Sequence, residues 1–212
     1  MNLSVNCAKY LLKIKAVKLN PAQPFTWASG LKSPIYCDNR KTLSYPQIRT
    51  FIKEGLAGMI KENYPEVEVI AGVATGAIAQ GALVADMLGL PFVYVRSEEK
   101  KHGLTNLVEG VVAFNQKVVV VEDLISTGQS SLKAVDALKD MDCKVLGMVA
   151  IFTYNLPIAQ RRFEEENLPL HTLTNYSVLV KEAAAEGYIK TDEIETLNHW
   201  SKDPTAWAEQ FK

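Results

Sequence analysis

The chain has 212 residues, with 23 Lys and Arg against 24 Asp and Glu, and a formal net charge of -1. That balance excludes a global electrostatic pull toward nucleic acid or an anionic membrane, so any anion site must be local. Nearly half the residues are apolar, enough for one domain, alone or with a smaller appendage, yet no apolar run approaches the ~20 residues of a membrane span and no signal-peptide pattern opens the chain, so a cytoplasmic protein is expected.

Residues 8–17 set Leu11, Leu12 and Ile14 among lysines, an amphipathic helical spacing that ends before Asn20-Pro21 and Gln23-Pro24. Residues 25–38 switch to turn chemistry and short aromatic strands, punctuated by Ser29-Gly30 and Ser33-Pro34. Residues 45–64 are helical again, with Ile48, Phe51, Ile52, Leu56, Met59 and Ile60 on one face and Pro65 closing them. Strand and helix then alternate: strand 67–73, helix 76–88, strand 92–96, strand 117–121, helix 130–141, strand 144–152. Alternation of this kind predicts an α/β fold, a central parallel sheet flanked by helices on both faces. Beyond Phe152 the chain breaks at Pro157, passes a charged segment at 161–166 and returns as a strand at 170–173. It ends in helical segments at 178–186 and 192–198, joined at Gly187 and followed by Pro204. The organisation expected is an N-terminal helix and hairpin region (1–64), an α/β core (65–175) and a helical tail (176–212) within one compact domain. Cys7, Cys37 and Cys143 are odd in number, widely separated and without C-x-x-C, which suggests neither a disulfide framework nor structural zinc.

The most informative stretch is Val118-Val119-Val120-Val121-Glu122-Asp123-Leu124-Ile125-Ser126-Thr127-Gly128-Gln129-Ser130-Ser131. Consecutive valines suit a parallel strand buried on both faces, and alone they say only core. Ligands of open α/β sheets, however, gather outside the carboxyl ends of strands, where Glu122 and Asp123 fall. Carboxylates accept hydrogen bonds from vicinal hydroxyls, while the Ser-Thr-Gly loop and the helix start after it suit a phosphate. A phosphorylated sugar satisfies both halves. The rival reading, the magnesium-binding strand of P-loop ATPases, loses its support because the chain has no G-x-x-x-x-G-K-[ST].

Other segments are open to two readings each. Residues 69–78 are a second strand running into small residues and a helix, which serve either tight helix–strand packing or close approach of backbone to a ligand. They do not match G-x-G-x-x-G, so no dinucleotide fold is indicated. Residues 96–103 cluster Arg96, Lys100, Lys101 and His102 in a long aperiodic segment, either a solvated surface or a loop able to close over an anion. Residues 25–36 form a turn-rich aromatic hairpin that by itself is a cover for the sheet edge.

Together these motifs carry a family resemblance. Four apolar residues, two acids, two apolar residues and Ser-Thr-Gly resemble the 5-phosphoribosyl 1-diphosphate (PRPP) signature of type I phosphoribosyltransferases. The fold implied is theirs, a central parallel sheet flanked by helices with a small N-terminal hood. The resemblance implies that Glu122 and Asp123 contact the ribose hydroxyls, Asp123 counting as catalytic, that Ser126, Thr127, Gly128, Gln129 and Ser130 form the loop around the 5-phosphate, and that Leu124 and Ile125 also belong to the PRPP site. Residues 69–78 look like the family's diphosphate loop, with backbone amides of Thr75, Gly76 and Ala77 facing the leaving group. Residues 96–103 resemble the catalytic loop of orotate phosphoribosyltransferases. That implies PRPP contacts from Arg96, Lys100, Lys101 and His102, catalytic roles for Lys100 and His102, and a homodimer in which the loop acts across the interface. F-T-x-x-S-G-x-K-S-P, from Phe25 to Pro34, resembles the hood of the same enzymes, and implies orotate contacts at Lys32, Ser33, Tyr36, Ser126 and Tyr154. The chain departs from some members at Ala28, Ser97 and Thr75-Gly76, where they carry lysine, and at Thr153-Tyr154, where they carry an orotate-contacting arginine.

The activity so implied is transfer of the phosphoribosyl group from PRPP to orotate, giving orotidine 5-monophosphate and diphosphate in pyrimidine synthesis. Mg2+ is expected, bound mainly through PRPP with no direct protein ligand, and neither a nucleic acid nor a membrane is an expected partner. Two rivals use the same signature. A purine phosphoribosyltransferase is disfavoured by the hood, and a PRPP-sensing regulator by the neutral charge and the 100–102 loop.

Overall fold

In the computed structural model, which describes residues 2–27, 29–97 and 107–211, the run of valines lies at the centre of the sheet. Successive side chains of a strand point to opposite faces. Val119 and Val121 therefore enter one core layer and Val118 and Val120 the other, all fully buried.

The N-terminal third forms α1 (Leu3–Lys13), the short strands β1 (Val17–Leu19), β2 (Phe25–Thr26), β3 (Lys32–Ser33) and β4 (Ile35–Cys37), a 3-10 turn (Asn39–Ser44) and α2 (Pro46–Asn63). The strands make two antiparallel pairs, β1 with β4 and β2 with β3. The α/β part follows as β5 (Val69–Val73), α3 (Ile78–Leu88), β6 (Phe92–Val95), β7 (Val108–Glu109), β8 (Lys117–Ile125), α4 (Gln129–Lys139), β9 (Lys144–Thr153), α5 (Pro157–Glu165) and β10 (Leu170–Asn175). The tail is α6 (Tyr176–Ala185), α7 (Glu193–Lys202), α8 (Pro204–Ala208) and a last 3-10 turn (Glu209–Phe211).

The sheet order is β10-β9-β8-β5-β6-β7, parallel except for β7, which runs antiparallel to β6. From β5 the chain winds outward to β6 and β7, then crosses to β8 on the other side of β5. The carboxyl ends of β5 and β8 thus flank a switch point, the crevice where open α/β sheets hold ligands. One core layer packs that sheet against α1, α2, α6 and α7 through Leu11, Leu56, Leu179 and Trp200. The other packs it against α4 and α5 through Leu132, Val135 and Phe163.

Several boundaries differ from the sequence reading for tertiary reasons. The first helix starts five residues earlier than residue 8, because Asn2 caps it by accepting from the Ser4 and Val5 N–H groups at 3.0 and 3.5 Å. β8 does not stop at Val121. Its ladder with β9 continues, Glu122 opposite Ala150, Leu124 opposite Phe152 and Ile125 opposite Thr153, so the acids belong to the strand. Pro157 opens α5 at its first turn instead of breaking the chain, since a missing N–H costs nothing there. β7 was not legible at all, being two residues held by pairing with Tyr94 and Val95.

Helix α3 lies close on β5 because both surfaces carry glycine. A Cβ on Gly72 would stand 2.9 Å from the Ala77 carbonyl and 3.1 Å from the Phe92 ring, and one on Gly81 would stand 2.8 Å from the same ring. Gly72→Ala is therefore expected to destabilise the chain by about 1–3 kcal/mol, the range of overpacked cores, read as a lowered Tm in thermal denaturation.

Candidate active site

The end of β8 sets its two acids in different surroundings. Glu122 turns inward, is buried, and accepts hydrogen bonds from the Ser131 hydroxyl and the Asp123 backbone N–H, both at 2.9 Å. Asp123, half-buried, turns toward the β5–α3 connection, where its carboxylate occupies the space a Cβ on Gly76 would need. A side chain at position 76 would force the Asp123 carboxylate to move, so Gly76 lets the carboxylate lie against the β5–α3 connection. From the other side the Asn39 amide donates to the Asp123 carbonyl at 2.5 Å. Burial, reinforced by the neighbouring Asp123, pushes the Glu122 carboxyl well above the usual carboxylate range. Burial raises Asp123 too, and the Arg40 guanidinium is among the groups that oppose the rise. Two carboxyl groups this close and this dry resist carrying two charges at once.

After Ile125 the chain turns sharply at Gly128, whose φ of 77° favours glycine and whose Cβ would stand 3.0 Å from Phe163. Helix α4 begins there without any side-chain cap, and the first N–H groups of a helix so exposed are an anion site. Arg162 of α5 steadies the turn by donating to the Thr127 carbonyl at 2.9 Å. Ser126 and Thr127 are half-buried, Gln129 and Ser130 exposed. Ile125 is fully buried, so any contact it makes with a ligand is through its backbone. A cleft of about 620 Å³ joins Thr127, Gln129, Ser130 and Lys133 to Ala74 and Arg96 across the switch point.

The β5–α3 connection corrects one expectation. The Ala77 N–H donates to the Val73 carbonyl at 3.0 Å and its side chain is buried, so Ala77 has no amide to offer a leaving group. Thr75 and Gly76 form the accessible part of the loop. Arg96, at the end of β6, borders the cleft and pairs loosely with Glu109 at 3.6 Å. Lys100, Lys101 and His102 lie outside the described residues, as does Ala28.

On the other side of β8 is a smaller cavity of about 210 Å³, lined by Thr26, Trp27, Tyr36, Cys37, Leu124, Ser126 and Tyr154. Its volume is below that of drug-sized sites and suits a single small ring. The β2–β3 hairpin and β4 roof it. Trp27 stacks on Tyr154 with ring centroids 5.4 Å apart and donates its indole N–H to the Ile35 carbonyl at 3.1 Å. Tyr36 presents a partly exposed ring beside Phe25. Lys32 donates to the Thr26 hydroxyl at 2.9 Å, which brings its ammonium to the cavity rim. The Ser33 hydroxyl is fully buried and engaged with the Ile35 backbone, so Ser33 serves through shape and main chain. Burial pushes the Tyr154 phenol well above its ordinary range and, with Asp123 and Asp38 nearby, the Cys37 thiol likewise. Both are therefore neutral at physiological pH.

Thr26, Trp27, Asn39 and Arg40 belong to the site and were missed from the sequence. Arg40 is held by Asp38 at 2.7 Å, and its charge reaches Asp123. The basic residue two places after Asp38 was its only signal. The missed Trp27 lay inside the motif, at a position the pattern leaves free.

A strand end that joins an uncapped helix start to a ring-sized aromatic cavity, with a buried and a half-buried acid between, has the chemistry to take a phosphorylated sugar and a planar acceptor. Comparison with known proteins agrees. Residues 44–167 match the phosphoribosyl transferase domain family. The orotate phosphoribosyltransferase of Porphyromonas gingivalis is 60% identical over 200 residues, 94% of this chain and 95% of that protein. That of Bacteroides thetaiotaomicron is 60% identical over 206 residues, 97% of each. The crystal structure of orotate phosphoribosyltransferase from Aeropyrum pernix superposes with a TM-score of 0.74 at 27% identity, covering 86% of this chain and 99% of that one. The chain belongs to the phosphoribosyltransferase family, in its orotate phosphoribosyltransferase branch.

The raised Glu122 carboxyl has a consequence for stability. Below the ordinary glutamate value of 4.5 the group is protonated in both folded and unfolded chains. As pH rises toward the raised folded-state value the unfolded chain ionises first, so stability is lost through that window. Glu122→Gln removes this loss. Its ligand-free Tm is expected to match that of the parent at the acidic end and exceed it by roughly 2–4 °C at pH 8, about 1 kcal/mol for a chain of this size.

Proposed function

We propose that the chain transfers the 5-phosphoribosyl group from PRPP to orotate, releasing diphosphate and forming orotidine 5-monophosphate. The observation that carries the reading is the continuity of β8's end. Leu124 and Ser126 line the ring-sized cavity while Thr127, Gln129 and Ser130 line the cleft, and Glu122 and Asp123 precede both. A ribose bound at the acids would thus have the acceptor on one side and its phosphates on the other.

The protein has little covalent work to do, because diphosphate leaves the anomeric carbon through a transition state of oxocarbenium character. Electrostatics and positioning carry the catalysis. Asp123, supported by Glu122, accepts from the ribose hydroxyls and favours positive charge on the sugar. The 126–130 turn anchors the 5-phosphate, binding energy remote from the reacting carbon. The Thr75 and Gly76 amides and Arg96 face the diphosphate, and Lys100, Lys101 and His102 add positive charge over it and exclude water. Tyr36, Ser126, Tyr154 and the backbone at Lys32 and Ser33 hold the acceptor ring.

Among the described residues no cluster of three acidic, His or Cys side chains stands ready to hold a metal. Mg2+ keeps waters and substrate oxygens among its ligands, so the ion would be carried in mainly on PRPP; both Glu122 oxygens are engaged inside the fold, which leaves Asp123 as the acid that could add a hard oxygen. When bound it would neutralise the departing diphosphate. We further propose a cytoplasmic homodimer in which the 100–102 loop serves the partner's site. No helix of the described residues is long and apolar enough to cross a membrane.

Orotate absorbance is expected to fall only when PRPP and Mg2+ are both present, with uracil, adenine, hypoxanthine and xanthine left unconsumed; consumption of a purine in place of orotate would overturn the reading. Lys100→Ala should lower turnover by ~10²–10³, the usual cost of one transition-state donor. Mixing Lys100→Ala with Asp123→Asn chains should restore activity in hybrid dimers, and no recovery would mean that each site is built from one chain.

A further inference from the structure

The tail reaches the acceptor cavity through one residue. Trp200 of α7 is fully buried and meets both members of the Trp27–Tyr154 stack edge-on, at 5.9 Å and 85° to Trp27 and at 5.5 Å and 89° to Tyr154. Those two rings, 5.4 Å apart and inclined by 20°, are already in contact, which leaves no slot between them for a substrate. The pair therefore bounds the cavity, and the way the pair is held sets the cavity's shape. The Trp27 indole is held to the hood by its N–H bond to the Ile35 carbonyl, its backbone bonding within the hairpin to Leu31 and Gly30, and Tyr154 leans on Phe152 at 5.6 Å and 87°. Trp200 touches both rings at once, so it ties hood to sheet.

Trp200 is itself braced. Tyr176 packs on it at 5.0 Å, and the Tyr176 hydroxyl donates to the Leu197 carbonyl, in the same helix as Trp200, at 2.9 Å. The buried Trp200 indole N–H has no hydrogen-bond partner among the described residues. Apolar contacts hold it in the core, the rings of Trp27, Tyr154 and Tyr176 among them, so the arrangement selects for the shape of this side chain and not for its polarity.

We propose that Trp200 is a positioning residue of the acceptor cavity, fixing Trp27 against Tyr154 so that the cavity takes one flat ring, and thereby making the C-terminal tail a determinant of acceptor affinity. This rests on the reading of the cavity as the acceptor site. Trp207 provides the control. It is equally interior in the same tail, but it packs on Phe211 at 4.6 Å and donates to the Thr196 hydroxyl at 2.9 Å, with no ring contact to the pair.

Steady-state kinetics of Trp200→Leu and Trp207→Leu separate a positioning role from a merely structural one. Trp200→Leu should raise KM for orotate roughly tenfold, the scale of losing a good aromatic contact, and leave KM for PRPP and kcat at saturation close to the parent. Trp207→Leu should lower Tm without changing either KM. Trp200→Phe, which keeps a ring at the position, should fold and give an intermediate rise in the orotate KM. In Trp200→Phe combined with Trp207→Phe, Trp27 is the one remaining tryptophan, and its emission should respond to orotate. If the parent consumes orotate while both Trp200 variants keep its KM, or shift both substrates' KM alike, the inference fails and the function stands. If the parent does not consume orotate, the reading of the cavity fails first and the inference with it.

Discussion

Two carboxyl groups at the end of a central strand, one buried and one half-buried and within reach of each other, are the constraint to which the neighbouring structure conforms. Such a pair is unfavourable without compensation, and the fold supplies it in directed hydrogen bonds. Ser131 and the Asp123 amide hold the Glu122 carboxyl, backbone amides of Asp123 and Leu124 and the Arg40 charge favour the Asp123 carboxylate, the missing side chain of Gly76 makes room for it, and Asn39 fixes the backbone through the Asp123 carbonyl. These contacts recruit α4, the 3-10 turn after the hood, and the β5–α3 connection to one point. A polar ligand whose hydroxyls donate to the acids completes what the protein leaves partly satisfied, which is why affinity and stability pull in opposite directions at Glu122.

The switch point makes the recruitment possible. Because β8 follows β7 in the chain but pairs with β5, two strand-to-helix connections open side by side at the carboxyl end of the sheet. One is closed by Gly128, in a conformation that favours glycine, the other by Gly76, where a Cβ would displace the Asp123 carboxylate. The same residue type is used for two unrelated physical reasons, and Gly72 and Gly81 add a third in the close packing of α3 on β5.

Much of this was readable along the chain, and the limits have physical causes. The valine run, the acids and the Ser-Thr-Gly turn announce strand, ligand edge and helix start, because each signal is local. The extension of β8 through the acids was not readable, since it depends on the ladder with β9. Nor was the loss of Ala77's amide, which is set by a turn hydrogen bond to Val73. The acceptor cavity was read only in part. Tyr36 and Tyr154 were named from the motif, but Trp27 and Trp200 come from segments with no shared periodicity, and only the packed tail brings them to Tyr154. The tail, which sequence reasoning passed over, thus reaches the site through its aromatic contacts.

The central claim is that the end of β8 holds a ribose between a phosphate turn and an acceptor cavity. A crystal structure with the product nucleotide tests it most directly. The account requires the ribose hydroxyls within hydrogen-bond distance of Asp123, the 5-phosphate on the 126–130 turn, and the ring in the cavity beside Tyr36. A nucleotide bound with its sugar away from the acids, or with its ring outside that cavity, would contradict it.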